Sequence, residues 1–214
     1  MLTAIFLLPM LCDVLAELPS EADRSAIMEC HTKLRENVRP TASNMQLLSY
    51  SIKLEELADE FVKKCNPFFP RSDPRYETLG YIQPSSTATE FQYRDELCNI
   101  DSSTYIYEND SCEGSCLDYL QMVWAISTEV GCASHKCDHK SKSYYATACL
   151  YEPGALDFQD RPYEAGPSCS NCTQGYGCYR NQCTANYTTT TSGSSAMALF
   201  PILLSSVVIM NGLH

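Results

Sequence analysis

Apolar residues recur every three or four positions in four segments of the chain, a spacing that predicts four helices. The predicted helices cover 19–40 and 51–65, and two more begin near Thr87 and Ser115. Ser20 and Asp23 form a capping-box pair at the start of the first helix, and Thr87 and Glu90 form another at the start of the third. These start signals agree with the periodicity and support the helical assignment.

Strands are predicted where short apolar or aromatic runs lie between turn residues. Three segments qualify: 77–83, 130–134 and 144–151. Segment 99–115 has turn residues but no clear period, and we interpret it as a surface loop. Because helices and strands do not alternate strictly, the pattern indicates an α+β or layered α/β/α domain.

Composition narrows the functional classes. Hydrophobic residues make up 44% of the 214 residues and charged residues 19%, so a packed core can form and disorder throughout is excluded. Asp and Glu number 26 against 15 Lys and Arg, which gives a net charge of -11. Such a surface repels a phosphate backbone, so nucleic-acid binding is not expected and basic partners are favoured.

The N-terminal segment and the cysteines indicate secretion. Residues 2–11 form an apolar run too short to span a bilayer, and Val14 and Ala16 predict cleavage of a signal peptide after residue 16. A buried N-terminal helix is the alternative. Thirteen cysteines are too many for a reduced cytosol, and cleavage would remove Cys12 and leave an even number. The remaining cysteines are expected to form disulfides: Cys30, Cys65, Cys98, Cys112, Cys116, Cys132, Cys137, Cys149, Cys169, Cys172, Cys178 and Cys183.

The composition changes after residue 160. Four cysteines lie within 169–183 among almost no aliphatic side chains, so disulfides are expected to hold this segment together. A zinc knuckle has similar spacing, but it belongs to a reducing compartment. The predicted organisation is a signal peptide (1–16), a main domain (17–162), a cysteine-rich hinge (163–184), a Ser/Thr-rich stalk (185–196) and a hydrophobic tail (197–214).

The C-terminal tail is expected to be the signal for a glycolipid (GPI) anchor. It is apolar and uncharged, no basic residue follows it, and small residues precede it. Candidate anchor sites are Asn186, Ser192, Gly193 and Ser194. A single-pass tail and a buried terminal strand are the alternatives. The anchor would place the protein on the extracellular face of the plasma membrane.

Three N-x-S/T sequons predict glycosylation at Asn109, Asn171 and Asn186. Asn171 precedes Cys172, which is expected to lie in a disulfide. Asn186 is also an anchor candidate, and it cannot serve as both anchor and glycan site.

Four segments together resemble the CAP superfamily, which includes cysteine-rich secretory, antigen-five and pathogenesis-related proteins. They are YLQMVWAISTEVGC (119–132), the segment 31–65, ACLYEPG (148–154) and RPYEAGPSCSNC (161–172). The resemblance implies an α/β/α sandwich with a three-stranded antiparallel sheet between helices, followed by a small disulfide-rich hinge.

The resemblance also implies a central cleft in which two histidines and two glutamates hold a divalent metal. The corresponding residues here are Phe69, Tyr81, Glu96 and Asp118, so one glutamate is kept and one histidine is replaced by a carboxylate. Two carboxylates are too few donors to offset the desolvation of a divalent ion, so we expect neither a metal nor any other cofactor. Asp118 is also interpreted as a helix cap together with Ser115.

The resemblance favours a non-enzymatic extracellular protein that binds a sterol, another lipid or a protein partner. The family's proposed sterol loop corresponds to Tyr105, Ile106 and Tyr107, an apolar cluster expected to be exposed. The alternative is that these tyrosines pack under the loop. A metal-dependent hydrolase and a ligand or antigen that acts through its surface are the competing hypotheses.

The remaining residues suggest no catalytic set. His31 lies on the apolar stripe of the first helix and is interpreted as structural, whereas His135 and His139 lie at a predicted hairpin tip. With the cysteines assigned to disulfides, no Cys–His or Ser–His–Asp arrangement can be proposed. Cys30 and Cys98 lie outside the positions that the resemblance accounts for, and we expect them to pair with each other.

Overall fold

The structure, a computed structural model, describes residues 18–86, 91–139, 142–156 and 158–185. Its helices are α1 (Glu21–Glu36), α2 (Ile52–Val62), α3 (Tyr93–Leu97) and α4 (Leu117–Met122). Its strands are β1 (Ser49–Tyr50), β2 (Gly80–Ile82), β3 (Ser85–Ser86), β4 (Tyr105–Ile106), β5 (Ser111–Cys112), β6 (Glu129–His139), β7 (Lys142–Glu152), β8 (Gly177–Tyr179) and β9 (Gln182–Thr184). The predicted α+β fold is confirmed.

The start of α1 has the capping box predicted from the sequence. The backbone N–H of Asp23 donates to the hydroxyl of Ser20 at 3.2 Å, and the Asp23 carboxylate accepts the backbone N–H of Ser20 at 3.0 Å. Two free N–H groups at the helix end are thereby satisfied. The local sequence therefore sets this boundary.

The starts of α3 and α4 differ from the prediction. Helix α3 begins at Tyr93, and the capping pair Thr87 and Glu90 lies outside the described residues. Helix α4 is capped by Cys116 with no side-chain cap hydrogen bond, so the predicted cap by Ser115 and Asp118 is wrong. A disulfide from Cys116 to Cys112 holds the cap residue instead.

The central sheet is mixed rather than strictly three-stranded and antiparallel. Strands β2, β6 and β7 are antiparallel, as expected, but β1 joins the edge parallel to β6 and β3 also pairs with β7. Strand β1 leads directly into α2, and Ser49 and Ser51 donate backbone hydrogen bonds to Thr128 and Val130. The segment that positions α2 thus completes the sheet.

Helices cover both faces of this sheet, as an α/β/α sandwich requires. Cys149 and Tyr151 of β7 pack against α1 and α3, whereas Ala148 and Leu150 pack against α2. The alternation follows from the two-residue period of a strand. Gly131 lets α2 approach closely, because a Cβ there would lie 2.3 Å from the backbone nitrogen of Glu55.

Six disulfides connect the twelve cysteines expected to be oxidised. The pairs are Cys30–Cys98, Cys65–Cys137, Cys112–Cys116, Cys132–Cys149, Cys169–Cys178 and Cys172–Cys183. The pairing of Cys30 with Cys98 is the one expected from the sequence. The other pairings could not be deduced, because eight cysteines alone allow 105 combinations.

The hinge packs against the main domain. The backbone N–H of Cys183 donates to the carbonyl of Met45 at 2.6 Å, and the Cys183 carbonyl accepts the N–H of Leu47 at 2.8 Å. The guanidinium of Arg180 also bonds to the carboxylates of Glu29 and Glu36 on α1. The hinge is therefore attached by a backbone ladder and an ion-pair network.

One loop prediction needs correction, and one hairpin prediction is confirmed. The segment 99–115 contains the hairpin β4–β5, in which Tyr105 pairs with Cys112. Strands β4 and β5 have two residues each, which is too short to produce an alternating pattern in the sequence. His135 and His139 lie near the end of the β6–β7 hairpin, as predicted: His139 pairs with Lys142 in the last pair of the ladder, and His135 pairs with Ala146.

Candidate functional site

The positions that the resemblance assigned to the first two metal ligands form an aromatic stack. The rings of Phe69 and Tyr81 lie face to face with centroids 3.9 Å apart, and the guanidinium of Arg71 lies 5.2 and 5.4 Å from their centroids. Phe61 of α2 contacts Phe69 edge-on at 5.4 Å. Both rings belong to the apolar cluster beneath α2. Such an arrangement is stabilised by ring burial and by cation–π attraction.

The other two cleft residues are half-buried carboxylates. Glu96 lies within α3 and Asp118 within the first turn of α4. Burial raises the pKa of Asp118 above its usual value, and the Asp118 charge in turn helps to raise the pKa of Tyr151. Asp118 is therefore half-buried in the first turn of α4 and makes no cap hydrogen bond.

These residues do not fit a divalent metal. Phe69 offers no donor atom, and the Tyr81 ring is stacked in an apolar cluster. Across the described ranges, Glu96 and Asp118 belong to no group of three or more potential ligands; the group found is Cys169, Cys172 and Cys183. Those three sulfurs are bonded in disulfides and cannot act as thiolate ligands.

His31 is a structural histidine, as the apolar stripe predicted. It is fully buried; Nδ1 lies 2.7 Å from the carbonyl of Ile27 and Nε2 lies 2.7 Å from the hydroxyl of Tyr151. Nδ1 must donate to the carbonyl, so neutral Nε2 accepts the Tyr151 proton. Burial, aided by the nearby charge of Arg35, lowers the pKa of His31 to about 4.

A separate cavity of about 510 Å³ opens between α1, α3 and the start of α4. Its floor is apolar and mostly buried: Cys30, Leu34, Val38, Leu97, Tyr105 and Tyr119. Its rim is polar and exposed: Lys33, Asn37, Arg39, Cys98 and Ser102. An apolar pocket with a few convergent polar groups is the usual form of a small-ligand site.

The rim is positively charged. Lys33 and Arg39 are the charged residues of the lining, and no Asp or Glu stands among the described residues that form it. Neither cation makes a salt bridge within the described chain; Glu29, one turn before Lys33, is paired with Arg180 and interacts with Lys33 only at longer range. In a chain with net charge -11, this local reversal favours a negatively charged ligand group.

Arg35 fixes the α1 wall of the cavity to the segment that follows α4. Its side chain is buried, and burial lowers its pKa to about 9, so it remains charged at neutral pH. The guanidinium donates to five backbone carbonyls: Gln46, Met122, Trp124, Ala125 and Ser127. Hydrogen bonds to a charged donor are stronger than neutral ones, which makes this clamp rigid.

The predicted lipid-loop residues occupy two different environments. Tyr105 is buried in the cavity floor and donates its hydroxyl proton to Asp110 at 2.7 Å. Tyr107 stacks on Tyr163 and donates to the Tyr163 carbonyl at 3.0 Å, and Ile106 is half-buried. The tyrosines are therefore packed, which is the alternative given above, rather than exposed as an apolar cluster, because the hinge junction and α4 cover them.

Sequence reasoning missed most of the cavity. Lys33 and Arg39 were not singled out, since isolated basic residues on an exposed helix face usually remain solvated. A signal was present in α1: Cys30, Leu34 and Val38 repeat at a spacing of four beside Lys33. That pattern shows one apolar face with a basic edge, but it does not show what packs opposite.

The sequons and the anchor sites remain predictions. Asn109 is exposed in the turn between β4 and β5, and the side-chain amide of exposed Asn171 donates to Glu164 at 2.7 Å. Asn186 and the anchor candidates Ser192, Gly193 and Ser194 lie outside the described residues. Within the described ranges, no helix has both the length and the apolar character needed to cross a bilayer.

Comparisons of sequence identify a family. The family described as "CAP: Cysteine-rich secretory protein family" matches residues 28–151. Glioma pathogenesis-related protein 1 of Mus musculus is 31% identical over 182 residues, which cover 78% of this chain and 67% of that protein. The mouse protein named "Cysteine-rich secretory protein LCCL domain-containing 1" is 29% identical over 188 residues, 77% of this chain. The chain spans only 37% of the length of that second relative.

A comparison of structures agrees with this match. The venom allergen-like protein 4 of Schistosoma mansoni superposes with a TM-score of 0.56 and 30% sequence identity. The superposition covers 72% of this chain and 99% of that chain. The helices and the sheet described above therefore form the same fold as in that protein.

Proposed function

The chain is a member of the cysteine-rich secretory protein (CAP) family, and we propose that it acts as a non-enzymatic extracellular binding protein for an anionic amphipathic lipid. The ligand would lie in the cavity between α1, α3 and α4, with its tail on the floor and its headgroup at Lys33 and Arg39. This role is one of the two that the sequence favoured; the other is recognition of a protein partner.

The observation that carries the proposal is the division of the cavity into an apolar floor and a cationic rim. Leu97, Tyr105 and Tyr119 are buried where a lipid tail would lie, and burial of each methylene group contributes roughly 0.8 kcal/mol. Lys33 and Arg39 are exposed at the opening, where they can pair with a carboxylate or phosphate while keeping contact with water. The division matches the two halves of an amphiphile.

Nothing in the former metal cleft supports a hydrolase. Its two carboxylates belong to no group of three or more potential ligands within the described residues, and the aromatic stack fills the place of two ligands. A metal-dependent reaction needs an open coordination position on a firmly held ion. The binding role is therefore favoured over the enzymatic alternative, and the proposed surface anchor would hold such a binder at the cell exterior.

Titration of the purified full chain with monomeric oleate and with oleyl alcohol tests the proposal. These probes share one tail and differ in the charge of the headgroup. We expect tighter binding of oleate, and a Lys33→Gln/Arg39→Gln double variant should lose about five- to tenfold in oleate affinity, as exposed charge pairs contribute about 0.2–1 kcal/mol each. Its affinity for the alcohol should stay within twofold.

A matched control separates the site from general electrostatics. The Lys64→Gln/Lys142→Gln double variant makes the same change in net charge at exposed positions that do not line the cavity. This variant should bind oleate like the wild type. Absence of saturable oleate binding to the wild type would refute the proposal. An equal loss of oleate affinity in both double variants would show that Lys33 and Arg39 do not bind the headgroup.

A further inference from the structure

We propose that the Cys30–Cys98 disulfide positions the two walls of the lipid cavity and makes ligand affinity dependent on its oxidation state. This inference rests on the proposed function, because it assigns a determinant of affinity to the same site. Cys30 belongs to α1, and Cys98 is the C-cap of α3. Of the six disulfides, this is the one whose two cysteines both line the cavity.

The bond joins the floor of the cavity to its rim. Cys30 is buried in the floor, one turn before Leu34, whereas Cys98 is exposed at the rim beside Leu97. The disulfide also spans 68 positions of sequence, so it connects two segments that fold together only in the native structure. Its removal would free the α3 wall to move relative to α1.

Helix α3 needs such support because it is short. It has five residues, from Tyr93 to Leu97, and an isolated helix of this length is unstable in water. Tyr93 and Leu97 are its buried side chains, and they attach its inner face to the core. The disulfide fixes its C-terminal end, the part that faces the ligand, so a large share of the cavity's preorganisation depends on it.

Because residue Cys98 is exposed at the rim, we expect a small thiol to reach the bond from that side. A thiolate of a small dithiol in solution would attack the Cys98 sulfur, form a mixed disulfide and release Cys30 as a thiolate that takes up a proton. The second thiol of the reagent would then displace Cys98 and leave the reagent as a cyclic disulfide. The protein disulfide is reduced by two electrons, and the dithiol is oxidised by two.

A comparison of two double variants of the full chain tests the positioning role. The Cys30→Ser/Cys98→Ser variant should bind oleate about tenfold more weakly than the wild type, through the loss of preorganisation. The Cys169→Ser/Cys178→Ser variant removes a hinge disulfide that does not line the cavity and should stay within twofold. Near-ultraviolet circular dichroism at the titration temperature establishes that each variant is folded.

A second measurement uses the wild type alone and decides the matter if the first variant does not fold. Limited reduction with dithiothreitol, followed by alkylation and peptide mapping, gives the reduction rate of each disulfide. Saturating oleate should slow reduction of Cys30–Cys98 at least fivefold and leave Cys169–Cys178 unchanged. Equal rates with and without oleate would overturn the inference.

The outcomes distinguish this inference from the function on which it rests. If the wild type binds no oleate, both are refuted. If the wild type binds oleate, but a folded Cys30→Ser/Cys98→Ser variant binds it with the same affinity, the cavity is a binding site and the disulfide is only a structural link. If the hinge variant Cys169→Ser/Cys178→Ser loses as much oleate affinity as the Cys30→Ser/Cys98→Ser variant, the effect is global and the inference fails as well.

Discussion

The ring of Phe69 stacks on the ring of Tyr81 with their planes 5° from parallel. Both residues occupy positions where the family resemblance places metal ligands, and Arg71 lies over the same pair. The loop after α2 is therefore held to the sheet by aromatic contacts and a fixed cation. In this chain an apolar cluster stabilises the region where an ion would otherwise be bound.

The stack predicts a sharp contrast between two adjacent phenylalanines. Phe69→Ala should lower the free energy of unfolding by about 2 kcal/mol, because the ring is half-buried among Phe61, Tyr76 and Tyr81. Phe68→Ala should change it by less than about 0.5 kcal/mol, because Phe68 is 79% exposed. Urea unfolding of the two variants checks this, and similar losses at both positions would contradict the stack.

The cleft positions offer few metal-binding groups, so we expect the thermal stability of the protein not to depend on divalent metals. The thermal midpoint of unfolding should shift by less than 1 °C on addition of EDTA or of millimolar Zn²⁺ or Mg²⁺. A metal ion that binds the native state would raise the midpoint, and it would do so more the tighter it binds. Scanning calorimetry of the wild type and of Glu96→Gln provides the measurement. A saturable rise that disappears in Glu96→Gln would show that an ion binds in the cleft.

His31 predicts loss of stability in mild acid. Burial lowers its pKa from 6.5 to about 4, so between these values the unfolded state binds the proton that the native state excludes. The free energy of unfolding is therefore unaffected by this proton above pH 6.5. It falls as the pH drops towards 4, by about 3 kcal/mol in total. Denaturant unfolding of wild type and His31→Gln across this range isolates the effect: the variant should show a shallower slope, and parallel slopes would refute the assignment.

Arg180 predicts how firmly the hinge is attached. It donates from Nη1 to Glu29 at 2.8 Å and from Nε to Glu36 at 2.9 Å. Arg180→Gln should speed hydrogen exchange in 177–184 and cost about 1 kcal/mol, because two partly exposed ion pairs are lost. Lys53→Gln, which breaks the exposed pair with Glu152, should leave exchange in the hinge unchanged. Exchange rates that match in the two variants would mean that the backbone ladder alone holds the hinge.

The local elements could be predicted from local chemistry. The capping box of Ser20 and Asp23, the stripes of α1 and α2 and the buried position of His31 follow from residues within a few positions of each other. The predictions failed where a partner lies far away in sequence. Strand β1 joins β6 across about 80 positions, and Tyr81 of β2 pairs with Leu150 of β7 across about 70.

The sequence by itself determined the fold family and the oxidised cysteines, because each depends on residue types at short, recognisable spacings. Only the tertiary structure decided that Phe69 and Tyr81 stack, that Tyr105 forms a floor instead of an exposed loop, and that Lys33 and Arg39 surround an apolar cavity. Periodicity shows which face of a helix is buried. The composition of a cavity depends on which distant faces dock together, and that is settled by the packing of the whole core.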